Sequence, residues 1–339
     1  MHMADALLTP AVGGVMLAAS AAAIGISLTK VRSQGIVDEK KIPMMGIMGA
    51  FVFAGQMINF TIPGTGSSGH IGGGILLAAI LGPAPALITL ASVLLIQCLF
   101  FADGGLLAYG CNVFNMGVTS ALFTYTFIYK PIVSRGLSKK SITAASILAV
   151  MGGLLLGSFF VVLETYISGV TELPFSTFCA LMLPIHLAIG LVEGIVTAAV
   201  LCFVHSARPE ILSGTINSVN LEKSVPLKKV LIVFAVLTVL IAGGLSIFAS
   251  AYPDGLEWSM EKTAGTTELE REGAVYNAAA YAVRATAIMP DYSFKDGTDD
   301  DGQAGTALSG IVGSIITLII ASVLGFIIYI SRLHKAKSA

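Results

Sequence analysis

Apolar runs of membrane-spanning length recur along this chain. They cover 11–29, 42–62, 71–102, 106–129, 142–167, 177–205, 229–250 and 309–331. A helix crossing the ~30 Å hydrocarbon core needs about 20 residues. In lipid every backbone N–H and C=O must be satisfied within the protein, so such runs fold as helices. Charged residues make up 12% of the 339 and hydrophobic residues 55%, and the mean hydropathy is +0.87. A soluble domain carries about 25% charged residues, so the polar surface here is too small to coat a water-soluble particle. The expected fold is all-α, a polytopic membrane helix bundle. The formal net charge of −1 argues against a nucleic-acid partner.

The basic residues set the expected topology. Of 19 Lys and Arg, 15 fall in four segments, 30–41, 130–140, 208–229 and 332–337. The positive-inside rule places all four in the cytoplasm. Cytoplasmic segments are joined by even numbers of crossings. Between 41 and 130, the run 42–62 leads out and 106–129 leads back. The run 71–102 therefore crosses twice, as helices 71–82 and 86–102 split at Gly82-Pro83-Ala84-Pro85, or makes no net crossing as a re-entrant pair. The count becomes seven helices up to residue 205 and two more after it, with the N-terminus outside and the C-terminus cytoplasmic. Residues 206–228 read as a polar cytoplasmic linker. Residues 251–308 read as an external loop with 11 acidic and 4 basic residues, including a solvated Asp299-Asp300-Asp301. Residues 1–29 contain no Lys or Arg, so no cleavable signal is expected and the mature chain is expected to begin at Met1. Cys98, Cys111, Cys179 and Cys202 lie in apolar runs without a CxxC pair and read as small buried hydrophobes.

Met1-His2 carries the most chemistry. A bulky second residue protects the initiator methionine, so an outward N-terminus presents a free amine. The Met1 amine, the deprotonated His2 amide and the His2 imidazole Nδ1 then close two fused chelate rings in one plane, a donor set suited to Ni(II) and Cu(II). Coordination releases ligand protons, so affinity falls in acid. The fourth ligand is sought in the next outward loop, where His70 follows the glycine-rich Pro63-Gly64-Thr65-Gly66-Ser67-Ser68-Gly69. Gln56, Asn59, Asn112 and Asn115 are placed to orient these ligands. Within the apolar runs, His186 and Glu193 share one helix face, and Glu164 lies near the end of 142–167. Charge at membrane depth is costly. His186 and Glu193 therefore form either a proton or metal relay or ordinary interhelical hydrogen bonds. His205 and His334 sit at run boundaries and read as interfacial. Met44, Met45, Met48 and Met57 read as packing. Small residues at Ala18/Ala22 and Gly46/Ala50/Ala54 suit close helix contact, internal or with a membrane partner. No GxxxxGK[ST] motif occurs, so any ATP hydrolysis would have to be done by other chains.

Met1-His2, the segment Asn59 to His70 and Cys111-Asn-Val-Phe-Asn-Met-Gly117 resemble the CbiM/NikM family over about residues 1–215. These are the substrate-binding S-components of energy-coupling-factor importers for cobalt and nickel. Pro253-Asp254-Gly255-Leu256-Glu257 resembles the PDGLE segment of NikN-type modules, which implies a fused arrangement with a core at 1–215 and a module at 229–339. The resemblance implies Met1, His2 and His70 as metal ligands. It implies Ni(II), favoured over Co(II), as cargo with no organic cofactor. The implied partners are an EcfT/NikQ/CbiQ-like coupling subunit and EcfA/NikO/CbiO-like ATPases, in a prokaryotic inner membrane. The chain departs from the cobalt-type start Met-His-Ile-Pro-Asp-Gly by reading Met-His-Met-Ala-Asp-Ala, which keeps Asp5. Two other functions compete. One is a stand-alone proton-coupled transporter using His186 and Glu193. The other is a metal sensor, disfavoured by the lack of an output domain. No nucleophile–base pair or phosphate cradle points to an enzyme.

Overall fold

The computed structural model describes residues 1–34, 40–217, 227–295 and 303–337. A short 3-10 turn at Asp5–Leu7 leads into α1, Pro10–Gln34. Helix α2 (Lys41–Gln56) ends in an antiparallel hairpin of β1 (Phe60–Ile62) and β2 (Ser67–Gly69), with Thr61 opposite Ser68. Gly64 and Gly66 turn this hairpin at φ 78 and 74, a region open to glycine at no steric cost. Then come α3 (Gly74–Leu81) and α4 (Pro83–Phe101). Helix α5 (Tyr109–Asn112) runs on through a π-wound stretch, Val113–Tyr129, into α6 (Lys130–Val133). The long helices α7 (Lys139–Ile167) and α8 (Phe175–Ala207) form an antiparallel pair closed by α9 (Pro209–Asn217). The C-terminal third holds α10 (Lys228–Gly243), α11 (Gly255–Ala264), α12 (Ala274–Thr286) and α13 (Gln303–Lys337).

The architecture is the expected all-α membrane bundle, with the hairpin as an addition. Among the described residues five helices are long and apolar enough to span alone: Pro10–Ser33, Pro83–Phe101, Lys139–Ile167, Phe175–Ala207 and Gln303–Ser331. The run 71–102 breaks at Gly82, but its first part is not a full helix. With 8 residues, α3 covers only ~12 Å. Thr215 of α9 donates to the Ile80 carbonyl at 3.1 Å, which puts the end of α3 at the far end of the bundle from the hairpin. Residues 71–73 precede α3 as irregular backbone, with only the Gly73 carbonyl joining the helix by accepting from Leu77 N at 2.9 Å. Irregular backbone at this depth needs protein partners. The Gly72 carbonyl accepts from Gln56 Nε2 at 3.1 Å, and Gly73 N–H donates to Glu193 Oε1 at 2.9 Å.

Two segments expected to be solvated are partly folded. Within 206–228, α9 buries Ile211, Leu212, Thr215 and Ile216, because the amphipathic stretch closes the end of the bundle. Within 251–308, α11 and α12 lie over the core and bury Leu256, Met260 and Ala279. Lys223 and Asp299-Asp300-Asp301 lie outside the described residues, and so do the side chains of Arg332, His334, Lys335 and Lys337. Cys98 and Cys111 are buried, whereas Cys179 and Cys202 are only half-buried, with Cys202 Sγ 3.7 Å from the Lys139 carbonyl at the start of α7. Met44, Met45, Met48 and Met57 are core residues.

Helix α13 packs on α2 through small residues. A Cβ on Gly46 would come within 2.0 Å of Ser322 Oγ, and one on Gly313 within 2.0 Å of Phe53 Cζ. The Gly46/Ala50 stripe is thus used inside the chain. Ala18 and Ala22 of α1 stay exposed beside Val15 and Ile26.

Candidate metal centre

Chain termini usually fray unless something ties them down. Here the first residues are core, with Met1 5% and Met3 0% exposed. The loop after α4 holds them. Met3 N–H donates to Asn112 Oδ1 at 2.7 Å, and the Met3 carbonyl accepts from Gly105 N at 2.9 Å and Asn112 Nδ2 at 3.2 Å. Asp5 Oδ1 accepts from Ala108 N at 3.0 Å, and burial raises this carboxyl above its ordinary range. Gly105 has no room for a side chain, since a Cβ there would lie 1.8 Å from Asp5 Oδ1. Asp5 and Asn112 therefore clamp the segment that carries the amine and His2, and neither bonds the ligand nitrogens directly.

That clamp brings Met1, His2 and His70 together. The Met1 amine lies 3.5 Å from His70 Nε2 and forms an ion pair with Asp254. The His2 and His70 rings stack, with centroids 5.3 Å apart and planes inclined by 22°. His70 Nδ1 sits 3.1 Å from the Ile71 carbonyl, a contact that fixes it as the donor and leaves the Nε2 lone pair facing the amine. Burial pushes His70 down to about 3, helped by the neighbouring amine and His2, so the ring is neutral at ordinary pH. His2 Nδ1 lies 2.8 Å from Asp103 Oδ1, and Tyr292 donates to the same carboxylate. Burial alone would raise Asp103. The charge and hydrogen bond of His2, with the Tyr292 hydrogen bond, outweigh it and hold the carboxyl near 2. The amine likewise outweighs burial at Asp254 and holds that carboxyl well below its usual range. Among the described residues, His2 Nε2 is buried without a hydrogen-bond partner.

Among the described residues no three His, Cys, Asp or Glu side chains converge as a metal-binding cluster. A metal held here must draw on main-chain donors, and the Met1 amine beside two imidazoles supplies that kind of set. In the observed rotamer Nδ1 faces Asp103, so chelation through it requires the His2 ring to turn. His2 and His70 border a cavity of about 410 Å³, which Asn59, Glu257 and Asp291 also line.

His186, Glu193 and Glu164 have local partners. His186 is buried, with Nδ1 2.8 Å from the Met182 carbonyl one turn back. Its ring packs on Gly255, where a Cβ would approach Cε1 to 3.0 Å. Glu193 satisfies the broken backbone before α3. The two share a face of α8, and each is bonded separately. Glu164 accepts from Asn115 Nδ2 at 2.8 Å. His205 is half-buried. Asp103 and Asp254 are the site residues that the sequence reading missed. Asp103 left one signal: it is the lone acidic residue between Lys41 and Glu164. Asp254 left none beyond its motif, since it is one of 11 acids in 251–308.

Comparison with known proteins matches two family models. Residues 2–211 match CbiM, the cobalt uptake substrate-specific transmembrane region, and residues 228–330 match the PDGLE domain. The chain is 33% identical over 318 residues to a putative fused nickel transport protein NikMN of Archaeoglobus fulgidus, covering 94% of this chain and 96% of that one. It is 26% identical over 225 residues to the cobalt transport protein CbiM of Geobacter sulfurreducens, covering 63% and 62% of the two chains. The crystal structure of a truncated transition metal transporter superposes with a TM-score of 0.54 at 29% identity, covering 61% of this chain and 99% of that one.

Proposed function

The chain belongs to the CbiM family, with a PDGLE domain behind its cobalt-uptake region, and from that premise we propose that it captures Ni(II), and secondarily Co(II), for an ATP-driven energy-coupling-factor importer. It is a multi-pass membrane protein of the nickel and cobalt transport families, a transporter and not an enzyme. The reading assigns residues 1–215 to the metal-binding core and 229–339 to the accessory module. Nickel is favoured because the fused relative carries that metal in its name.

In this reading the ligands are the Met1 amine, the amide and imidazole of His2, and His70 Nε2. The observation that carries it is the approach of the amine to 3.5 Å from a neutral His70 Nε2 whose other nitrogen is engaged. Coordination removes one proton from the amine and one from the His2 amide, and Nδ1 must also give up the proton it donates to Asp103. The His2 ring turns away from Asp103, which is left facing the cavity. The clamp by Asn112 and Gly105 fixes the Met3 backbone, so the chelate is assembled without ordering a free terminus.

The exposed small-residue face of α1 around Ala18 and Ala22 supports docking of the coupling subunit, because small side chains let helices approach closely in lipid. Separate ATPase subunits would bind on the cytoplasmic side. The reading places the protein in a prokaryotic cell membrane with its N-terminus outside. The test is uptake of radioactive nickel and cobalt into proteoliposomes. This reading expects uptake only with coupling and ATPase subunits and internal or external ATP on their side, with nickel favoured. Uptake by this chain alone, collapsed by a protonophore, would replace the importer with a proton-coupled carrier.

A further inference from the structure

The PDGLE segment touches both parts of the candidate centre. Asp254 Oδ1 caps α11, accepting from Leu256 N at 2.8 Å and Glu257 N at 2.9 Å, while Glu257 Oε2 accepts from Asp254 N at 2.9 Å. One carboxylate oxygen is thereby locked to the helix, and Oδ2 is left on the Met1 amine. Gly255 seats the segment against the core, because a Cβ there would come 2.8 Å from Ile189 Cδ1. The same stretch binds the hairpin that leads to His70. Ser68 N donates to the Pro253 carbonyl at 2.8 Å, Trp258 Nε1 to Thr65 O at 3.0 Å, and Ser250 N to Asn59 O at 2.7 Å.

We propose that Asp254 is a positioning residue for the metal site, supplied by the C-terminal module, which holds the Met1 amine with its lone pair toward the ion. The inference rests on the Met1/His2/His70 reading. An ammonium group loses one proton on coordination and keeps two N–H bonds. Oδ2 therefore retains a donor before and after metal enters, and its negative charge offsets the cation. This is the arrangement by which outer carboxylates orient metal-bound histidines, here applied to an amine. It explains why a helix start in the second module lies against the first residue of the chain.

The experiment measures Ni(II) affinity and the visible ligand-field spectrum of the detergent-purified full chain. Asp254→Asn and Asp254→Ser are compared with the wild type and with His70→Ala. Asn and Ser both still cap a helix, so α11 keeps its start while the anionic contact to the amine is lost. The expected result is a 10- to 100-fold loss of affinity, about the usual effect of losing an outer partner, with a shifted spectrum for the ion that still binds. Unchanged or tighter binding and an unchanged spectrum in both variants, with His70→Ala defective, would overturn this inference alone. Retained binding in His70→Ala would overturn the ligand reading beneath it. A second measurement needs no variant. Carbodiimide treatment of the metal-free wild type should join Met1 N to Asp254 as an amide: the carboxyl is activated as an O-acylisourea, the amine attacks its carbonyl carbon, and the reagent leaves as a urea carrying one carboxyl oxygen. Mass spectrometry finding no such link would overturn the contact.

Discussion

Inserting one alanine between Met1 and His2 tests the chelate most directly, because every native side chain is retained. A trans peptide adds 3.8 Å between successive Cα atoms. The amine now lies 3.5 Å from His70 Nε2, and metal–nitrogen bonds are about 2.0–2.1 Å. The insertion cannot be absorbed downstream. Both backbone groups of Met3 are engaged by Asn112 and Gly105, and its side chain is fully buried. The added length must move the amine away from His70 Nε2 by more than a bond length, while the inserted alanine contributes a second amide, so that amine, two amides and imidazole supply four nitrogens without His70. Losing an outer partner costs about 10- to 100-fold in affinity. In the wild type, losing His70 as a ligand should therefore exceed about 100-fold, or roughly 2.8 kcal/mol at 1.4 kcal/mol per tenfold, whereas His70→Ala should cost the insertion variant little. Calorimetry on purified protein with an unblocked N-terminus measures it. A loss of the same size from His70→Ala in both backgrounds would refute the reasoning.

Three further outcomes are expected. Glu193→Gln keeps an acceptor for Gly73 N–H and should leave transport near wild type, whereas Glu193→Ala strips that partner and should lower the thermal transition by the equivalent of about 1–3 kcal/mol; abolished transport in the Gln variant would instead point to a proton relay. His70 holds its proton less well folded, at about 3, than at its ordinary 6.5, so the unfolded chain binds more protons between those values and stability must fall as pH drops from 6.5 toward 3. That loss approaches about 1.4 kcal/mol per pH unit for one proton, and thermal unfolding of metal-free protein from pH 6 to 4 should show a flatter dependence in His70→Gln; equal slopes would contradict the buried neutral ring. Gly46→Val drives side-chain atoms into Ser322 and the Leu318 carbonyl and should destabilise the α2–α13 contact by about 1–3 kcal/mol; an unchanged melting temperature would refute that packing.

Much of this protein was legible because lipid imposes rules that act on local sequence. The apolar runs follow from the need to satisfy backbone groups without water, and the Gly82-Pro83 break follows from proline's missing N–H and fixed φ. Met1-His2 declares its donors because amine, amide and imidazole are joined by covalent bonds, so no fold is needed to see them together. What hydropathy hid is where polar groups find partners. Glu193 reads as an intramembrane charge, yet in the fold it supports the bare backbone ahead of the eight-residue α3. Residues 251–308 read as a solvated acidic loop, yet Asp254 reaches the amine across 253 positions. Asp103 reads as a lone loop acid, yet it holds His2. The difference is physical. Transfer from water to lipid depends on what each stretch is made of, while a buried ion pair depends on which distant backbone arrives beside it, and only the packed bundle decides that.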